Sequence, residues 1–388
     1  MAPAAERAPD VVVVGGGVIG LSAAWRAAVR GLAVTLVDPS PGRGASWAAA
    51  GMLAPVTEVT YGEQPLLALT LAGSARWPSF AAELEEASGR SPGYVECGTV
   101  VVARDADDRA ALDDLLAFQR SLGLEAEWLR RRELRGIEPG LAPGVRGGIL
   151  VAGDHQVDNR ALVEALCLAF ERAGGTLRRT AVAAVDVARD RVTGVRLSDG
   201  SRIAAGAVVL AAGCWTGGLG GLPPDVLPPV RPVKGQLLHL AARGDAAPPA
   251  TRTIRGLDVY VVTRPDGRVV VGATVEEQGF DTTVTAEAVH DLLRDARDLL
   301  PGLGELAFAE AVAGLRPGSP DNAPLIGAAA GIEGLVCATG HHRNGILLAP
   351  VTAGAVVDLL LDRDAPDVVA PFSPGRFRAA APVAAGAR

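Results

Sequence analysis

The fold is decided by residues 11–20, which read VVVVGGGVIG. The four valines predict a buried strand, and Gly15, Gly17 and Gly20 have the G-x-G-x-x-G spacing of a dinucleotide-binding turn. In such a turn the first glycine permits the tight bend, the second lets the backbone approach a pyrophosphate, and the third lets the following helix lie close to the sheet. Phosphate is then held by the free N–H groups at the helix N-terminus.

A second apolar strand, residues 33–37, ends at Asp38. An acidic side chain at this point can accept hydrogen bonds from the ribose hydroxyls of adenosine. The glycine spacing alone also fits a turn that merely packs well. Because strand, glycines, helix and strand-end acid follow in order, the sequence predicts a bound dinucleotide.

Composition limits the other functions open to the chain. Its 388 residues exceed one ordinary core, which predicts two domains, and 49% of them are hydrophobic. A net charge of -7 argues against a nucleic acid or a membrane surface as partner. Lys234 is the only lysine, so 36 of the 37 basic residues are arginine. In so arginine-rich a chain, the presence of an arginine is weak evidence for a functional role.

The cysteines and apolar segments indicate a cytoplasmic protein. No C-x-x-C or other metal-ligand spacing occurs, so we expect no metal site. We expect reduced, mostly buried thiols at Cys97, Cys167, Cys214 and Cys337. Acidic residues precede the first apolar run, unlike a signal peptide. The apolar stretch 345–361 is short for a membrane span and includes Asp358, so we expect it to form a buried helix.

The remaining patterns outline two intertwined parts. Residues 39–55, PSPGRGASWAAAGMLAP, form a small-residue loop directly after Asp38. Helical spacing recurs over residues 66–88 and 106–122 in a region without nucleotide chemistry. The chain then returns with a helix over 160–173, a strand over 176–187, and a buried strand over 207–212. Because ligands gather at the carboxyl ends of such strands, Gly213 and Trp215 should lie near the cofactor.

Six motifs together resemble the D-amino-acid oxidase family of FAD-dependent amine oxidases, and within it the glycine oxidases of the thiamine pathway. Besides the glycine-rich turn, they are GASWAAAGMLAP (44–55), VYVV (259–262), VVVGATVEE (269–277), GLRPGSPDNAPLIG (314–327) and ATGHHRNGILLAP (338–350). Their order covers nearly the whole chain, from about residue 11 to 362.

The resemblance implies an α/β fold with a Rossmann-like FAD-binding domain and an interleaved antiparallel-sheet substrate domain. The FAD-binding domain would comprise residues 9–65, 148–225 and 317–373. The substrate domain would comprise residues 66–147 and 226–316. Residues 1–8 and 374–388 are expected to be flexible tails.

The resemblance also implies three substrate-binding residues. Arg316, in the GLRP strand, would pair with the substrate carboxylate, and Tyr260 would help to hold it. Arg343 would lie beside both substrate and flavin. These residue types suit the task, because a guanidinium binds a carboxylate bidentately and a tyrosine hydroxyl adds one donor. A domain-interface salt bridge, a helix-end arginine and a core tyrosine are the corresponding structural alternatives.

The expected cofactor contacts follow the same motifs. They are Gly15, Gly17, Val18, Ile19 and Gly20 in the turn; Asp38 and Pro39 at the ribose; Ala45, Ser46, Ala50, Gly51 and Met52 near the ring; Val182 at the adenine; Gly213 and Trp215; and Gly340, His341, His342, Arg343, Asn344, Gly345, Ile346 and Leu347 along the pyrimidine edge. FAD should be noncovalent, since no cysteine lies near the GLRP motif.

The implied reaction is hydride transfer from the substrate α-carbon to flavin N5. The imine would hydrolyse to the oxo acid and ammonia, and O2 would become hydrogen peroxide. The resemblance implies no obligatory catalytic acid or base. His341 and His342 are interpreted as local hydrogen-bonding or packing residues, and His342 replaces a usual aromatic. Asp258 is a variable wall position that either biases the pocket or faces solvent.

The substrates implied are glycine, sarcosine and small D-amino acids, with a role in forming the thiazole of thiamine. A homo-oligomer, by family expectation a tetramer, and handover of product to a thiazole synthase are the expected assemblies. A D-amino-acid dehydrogenase or a sarcosine oxidase is the alternative enzyme. A flavin-binding module without catalysis is the alternative outside enzymes.

Overall fold

The computed structural model describes residues 8–244 and 247–377. Numbered along the chain, the strands are β1 (Val11–Val14), β2 (Val34–Val37), β3 (Met52–Leu53), β4 (Tyr94–Val95), β5 (Thr99–Ala103), β6 (Glu127–Arg130), β7 (Gly147–Val151), β8 (His155–Val157), β9 (Thr176–Arg178), β10 (Val182–Ala188), β11 (Arg191–Leu197), β12 (Arg202–Ala204), β13 (Ala207–Leu210), β14 (Arg231–Ala241), β15 (Thr253–Arg255), β16 (Tyr260–Thr263), β17 (Arg268–Gly272), β18 (Ala307–Gly318), β19 (Leu325–Ala328) and β20 (Leu335–Thr339). The α-helices are α1 (Val18–Val29), α2 (Ala45–Ala48), α3 (Gln64–Ser88), α4 (Ala106–Ser121), α5 (Arg131–Ile137), α6 (Asn159–Arg172), α7 (Ala286–Leu299) and α8 (Gly345–Leu360).

A six-stranded sheet is built around β1, in the order β19-β20-β13-β1-β2-β9. Its strands pair in parallel, except that β19 is antiparallel to β20 at the edge. All four residues of β1 are buried, as a run of valines requires of a strand covered on both faces. The carboxyl ends of β1, β2 and β13 therefore meet at one edge, and the predicted Rossmann-like sheet is confirmed.

Helices α1, α3, α6 and α8 share one apolar core with this sheet, and β10, β11 and β12 cover a second core. The helix α1 lies close to the sheet because Gly20 has no side chain. A Cβ on Gly20 would lie 1.9 Å from the Gly15 carbonyl oxygen. This is the close helix–strand packing that the third glycine of the motif was expected to allow.

An eight-stranded sheet, in the order β18-β14-β17-β16-β15-β5-β7-β6, forms the second layer. Its pairs are antiparallel except β5 and β15, which are parallel, so the predicted antiparallel sheet is mixed at one point. Helix α7 covers one face through Leu292, Ala296 and Leu299. Thr285 caps the N-terminus of this helix, because its hydroxyl accepts a hydrogen bond from Ala288 N at 3.3 Å.

Helix α3 and residues 176–187 lie in parts of the fold that the sequence patterns did not indicate. Helix α3, which the boundary at residue 66 assigns to the substrate domain, packs against the first core through Trp77, Phe80 and Leu84. The Trp77 indole also donates a hydrogen bond to the Leu347 carbonyl at 3.0 Å. The domain boundaries themselves stay a prediction. The strand expected over 176–187 is wrong, because β9 and β10 belong to different sheets.

The C-terminal order extends further than predicted. Residues 374–377 form a 3-10 turn in which the Arg376 guanidinium donates to both carboxylate oxygens of Asp321 at 2.9 Å. The rest of the expected tails, residues 1–7 and 378–388, lies outside the described residues. The stretch His342–Leu360 is long and apolar enough to cross a membrane, but 67% of it is buried inside the protein, as in a core helix.

Candidate active site

A cavity of about 1090 Å³ lies between the two sheets. Its wall extends from Gly15 and Asp38, at the carboxyl ends of β1 and β2, to Tyr260 and Arg316 on the second sheet. The cavity therefore joins the predicted nucleotide end to the predicted substrate end.

The nucleotide end is shaped by glycines and backbone N–H groups. Gly15 has φ +103°, and a Cβ there would lie 2.4 Å from the Ala211 carbonyl oxygen. Gly17 begins α1 without a side-chain cap, while Val18 N donates to the Ser46 hydroxyl at 2.9 Å. Asp38 accepts hydrogen bonds from Gly16 N and Ser40 N, each at 2.7 Å. This carboxylate thus orders the turn as well as lining the cavity.

The loop expected near the flavin ring is held from behind by buried polar side chains. Arg264 donates to the Ala50 carbonyl and to the Gln156 side chain, both at 2.6 Å. Asn159 donates to the Ser46 and Trp47 carbonyls at 2.9 Å. These contacts fix the backbone of residues 46–50 along the cavity wall.

At the other side of the cavity, α8 points its N-terminus inward. Gly345 and Ile346 line the wall, and the helix has no side-chain cap and no acidic residue in its first turn. Its dipole therefore favours negative charge in the cavity. His342 has φ +47°, and its Nδ1 is buried with no hydrogen-bond partner in the described structure. Two helix N-termini whose N-cap residues form no side-chain cap, and an orphaned ring nitrogen, are features that FAD, an extended polar cofactor, would satisfy.

Most of the expected cofactor residues line this cavity. Four do not: Gly20, Gly340, Asn344 and Leu347. Gly20 serves helix packing. Gly340 has φ +73°, and a Cβ there would lie 2.8 Å from Leu325 Cδ1. Asn344 and Leu347 are buried. These positions support the wall rather than form it.

Arg316 and Tyr260 lie side by side at the substrate end. The Arg316 guanidinium is positioned by two backbone carbonyls, donating through Nη1 to Lys234 O at 3.2 Å and Thr274 O at 3.1 Å. Burial raises the pKa of Tyr260 to about 12 despite the opposing charge of Arg316. The tyrosine is therefore a neutral donor. An oriented guanidinium beside a neutral hydroxyl can bind a carboxylate.

Two glycines make room for these side chains. A Cβ on Gly235 would lie 2.3 Å from Arg316 Nη2, and a Cβ on Gly272 would lie 2.5 Å from the Tyr260 hydroxyl. Both obstructed atoms are at the ends of side chains, so the obstruction displaces the functional groups rather than the backbone.

We expect Gly235→Ala to raise KM for a carboxylate substrate about tenfold or more, because the methyl group displaces the Arg316 guanidinium from its position. The melting temperature should stay within a few degrees of that of the wild type, since a flexible side chain can move. Steady-state kinetics and thermal melting measure the two effects. An unchanged KM would mean that the guanidinium position is unimportant.

Sequence reasoning missed two charged residues in the cavity wall, Glu58 and Arg255. Arg255 donates to Glu58 Oε1 at 2.6 Å, and both side chains are less than a fifth exposed. Burial would raise the pKa of Glu58, but Arg255, Arg343 and Arg316 lower it below its usual range. Arg343 lies on the outer side, donating to Thr60 at 2.9 Å and to Glu63 at 3.1 Å. Glu58 is therefore a carboxylate surrounded by arginines.

The segment that carries Glu58 is held by a buried acid. Asp154 accepts hydrogen bonds from Val56 N at 3.2 Å, and from Thr57 N and the Thr57 hydroxyl at 2.7 Å. Burial raises the pKa of Asp154 to about 6, although these donors oppose the shift. Asp154, in the turn before β8, thus fixes the position of Glu58 in the cavity wall.

Other predicted wall residues show ordinary environments. Asp258 lines the cavity but its side chain is 76% exposed, 3.7 Å from Arg104. Cys214 is a buried thiol in the wall, and burial raises its pKa to about 12, which agrees with a packed, unreactive cysteine. Trp215 is half exposed at the rim, with its ring near that of Phe280.

Comparison with known proteins places these features in a family. The DAO family model, described as FAD dependent oxidoreductase, matches residues 10–359. The chain is 35% identical to the glycine oxidase of Pseudomonas aeruginosa over 368 residues, covering 94% of this chain and 98% of that protein. The crystal structure of glycine oxidase from Geobacillus kaustophilus superposes with a TM-score of 0.87 at 34% identity, covering 95% of this chain and 98% of that one.

A second kind of relative is longer. The bifunctional protein ThiO/ThiG of Synechocystis is 37% identical over 378 residues, which is 96% of this chain but 54% of that protein. The chain thus spans about half the length of the bifunctional relatives that it matches. The family resemblance inferred from the six motifs is confirmed.

Proposed function

Since the chain belongs to the DAO family of FAD-dependent oxidoreductases, we propose that it oxidises glycine and other small amines, such as sarcosine and small D-amino acids, to the imine or oxo acid with NH3 and H2O2. One observation carries this proposal. Arg316 faces the cavity beside Tyr260 with its guanidinium bonded to backbone carbonyls, and no carboxylate of residues 8–244 or 247–377 forms an ion pair with it. A cation left free in this way is matched by the carboxylate of an amino acid.

The protein's own groups would bind and orient the substrate. Arg316 would hold the carboxylate through its guanidinium, and the Tyr260 hydroxyl would donate a further hydrogen bond. Burial of the Tyr260 hydroxyl lowers the local dielectric and would strengthen these contacts. FAD, when bound, supplies the acceptor for a hydride from the α-carbon. The N-terminus of α8 would stabilise negative charge on the cofactor side of the cavity.

Among the described residues at the substrate end, neither the two histidines nor Tyr260 is suited to act as a base near neutral pH. Burial lowers the pKa of His341 to about 3. Burial and the nearby Arg343 and Arg316 charges lower that of His342 to about 4. Both rings are therefore neutral above about pH 5, and Tyr260 stays protonated. The amine must lose its extra proton to solvent before hydride transfer.

The pH dependence of kcat/KM tests this reading. Between about pH 5 and 9, kcat/KM should rise along a single limb. That limb reports deprotonation of the substrate amine, because only the neutral amine reacts. His342→Gln should keep the shape of that limb whatever its effect on the rate. A limb near pH 6.5 that disappears in His342→Gln would assign a proton transfer to this histidine.

The longer relatives suggest a metabolic context. ThiO/ThiG joins an oxidase-like half to a second half in one chain, and this supports a role in thiamine thiazole biosynthesis with handover of the imine to a thiazole synthase. A homo-oligomer, as a tetramer, belongs to the same proposal. Mixing the purified protein with a thiazole synthase and measuring thiazole formation against added glyoxylate and ammonia would test the handover.

The function is tested by hydrogen peroxide release from the FAD-loaded protein in air, with glycine, sarcosine, D-alanine and D-proline as substrates. Peroxide with glycine at a kcat/KM equal to or above the others supports the proposal. Bleaching of the flavin without peroxide would mean a dehydrogenase that uses another acceptor. No bleaching with any of the four would favour a flavin-binding module without catalysis.

A further inference from the structure

Three arginines line the substrate end of the cavity, and the protein neutralises two of them. Arg255 forms an ion pair with Glu58 at 2.6 Å. Arg343 forms one with Glu63 at 3.1 Å and lies 3.8 Å from Glu58. Among the residues that the structure describes, Arg316 has no carboxylate within 4.0 Å. The site therefore presents one uncompensated guanidinium.

Arg255 is close enough to meet a second substrate group. It lies directly opposite Tyr260 in the antiparallel pair of β15 and β16. Directly opposed residues of such a pair project their side chains on the same face of the sheet. A substrate carboxylate held by Arg316 and Tyr260 would thus have Arg255 as a neighbour, and Glu58 already occupies its guanidinium.

The other charges around this end do not alter the balance. Asp258 is largely exposed and lies near Arg104. Lys234 is buried 3.6 Å from Glu276 and does not line the cavity. A second carboxylate entering beside Arg316 would meet the buried charge of Glu58, and like charges in a site of low dielectric repel strongly.

We propose that Glu58 determines substrate specificity by charge: it neutralises Arg255, so that the site accepts amines with one carboxylate and rejects amines with two. This inference rests on the proposed function. It extends that function from the residue that binds the substrate to the residue that limits which acids can bind.

The test compares wild type with Glu58→Gln, which keeps the size of the side chain and removes its charge. Iminodiacetate is glycine with a second carboxymethyl group, so the ratio of kcat/KM for iminodiacetate to that for glycine reports the charge preference. The ratio should rise tenfold or more in Glu58→Gln. The dissociation constant for malonate relative to that for acetate, measured from the flavin absorbance change without any turnover, should fall in the same variant.

Two further variants separate charge from disturbance of the loop. Glu58→Gln combined with Arg255→Gln restores the charge balance and should return the ratio to near the wild-type value. Glu138→Gln removes a buried carboxylate from another arginine, Arg252 at 3.1 Å, outside the cavity, and should leave the ratio unchanged. If Glu58→Gln does not fold, Arg255→Gln alone should weaken acetate binding tenfold or more.

The inference is overturned if Glu58→Gln keeps the wild-type ratio, if the double variant keeps the raised ratio, if Arg255→Gln leaves acetate binding unchanged, or if wild type binds malonate as tightly as acetate. These outcomes are distinct from failure of the proposed function. A protein that does not oxidise glycine but binds acetate in preference to malonate would lose the proposed reaction and keep the charge selection.

Discussion

Arg316→Ala should lower kcat/KM for glycine by about 30- to 4,000-fold, mainly through KM, while FAD remains bound. Losing one partner of a buried, hydrogen-bonded charge pair costs on the order of 2 to 5 kcal/mol, which corresponds to that range. Arg316 suits this role because backbone carbonyls hold it and no protein carboxylate competes for it in the described structure. Steady-state kinetics with glycine, together with the flavin-to-protein absorbance ratio, measure both parts of the expectation.

Arg231→Ala is the matched control. Arg231 lies on the strand paired with β18 and donates to the Ser319 carbonyl at 2.7 Å and to Glu277 at 3.2 Å, but it does not line the cavity. Its loss should change kcat/KM less than about threefold, because the Arg231 side chain is about half exposed and lies outside the cavity. If Arg316→Ala kept the wild-type KM for glycine, the carboxylate would have to bind elsewhere and the assignment would be wrong.

Gly15→Ala should yield protein without bound FAD and lower its melting temperature by roughly 5 to 10 °C. The φ of +103° strains any residue with a Cβ, at a cost of about 1 to 3 kcal/mol. The new methyl group would also lie 2.4 Å from Ala211 O and 2.7 Å from Ala212 Cα, which are backbone atoms of the neighbouring chain segment. The turn must move away from β13, and the pyrophosphate end of the cavity opens.

Gly31→Ala separates strain from collision. Gly31 has φ +86°, but a Cβ there meets nothing within 4 Å. This variant should keep its yellow colour and lose only a few degrees of melting temperature. Equal FAD content in Gly15→Ala and Gly31→Ala would show that close packing at the turn is not required for the cofactor.

The nucleotide half was predictable because its signals are local. Strand, glycines, helix and Asp38 follow within thirty residues of each other, and each has a steric or electrostatic reason to be there. The split of residues 176–187 into β9 and β10 was not predictable, since the periodicity of a strand does not say which sheet it joins.

The substrate end was predictable only in part. Arg316 and Tyr260 came from the family resemblance, and they do line one cavity. Glu58 and Arg255 were missed because they are 197 residues apart in sequence and are joined only by folding. No local pattern separates Arg255 from the other arginines of an arginine-rich chain. Its register opposite Tyr260 is visible only in the sheet.

The packing of α1 against α8 has a consequence for biosynthesis. Between them the chain completes the whole of the second sheet, so α1, with its buried Trp25, is made long before its partner helix leaves the ribosome. During translation the nucleotide sheet is therefore open on the side that α8 will cover, and its apolar surface is exposed to chaperones and to aggregation. The wall of the cofactor cavity is complete only when residues 345–360 have emerged from the ribosome. FAD can therefore bind to the complete site only at the end of translation.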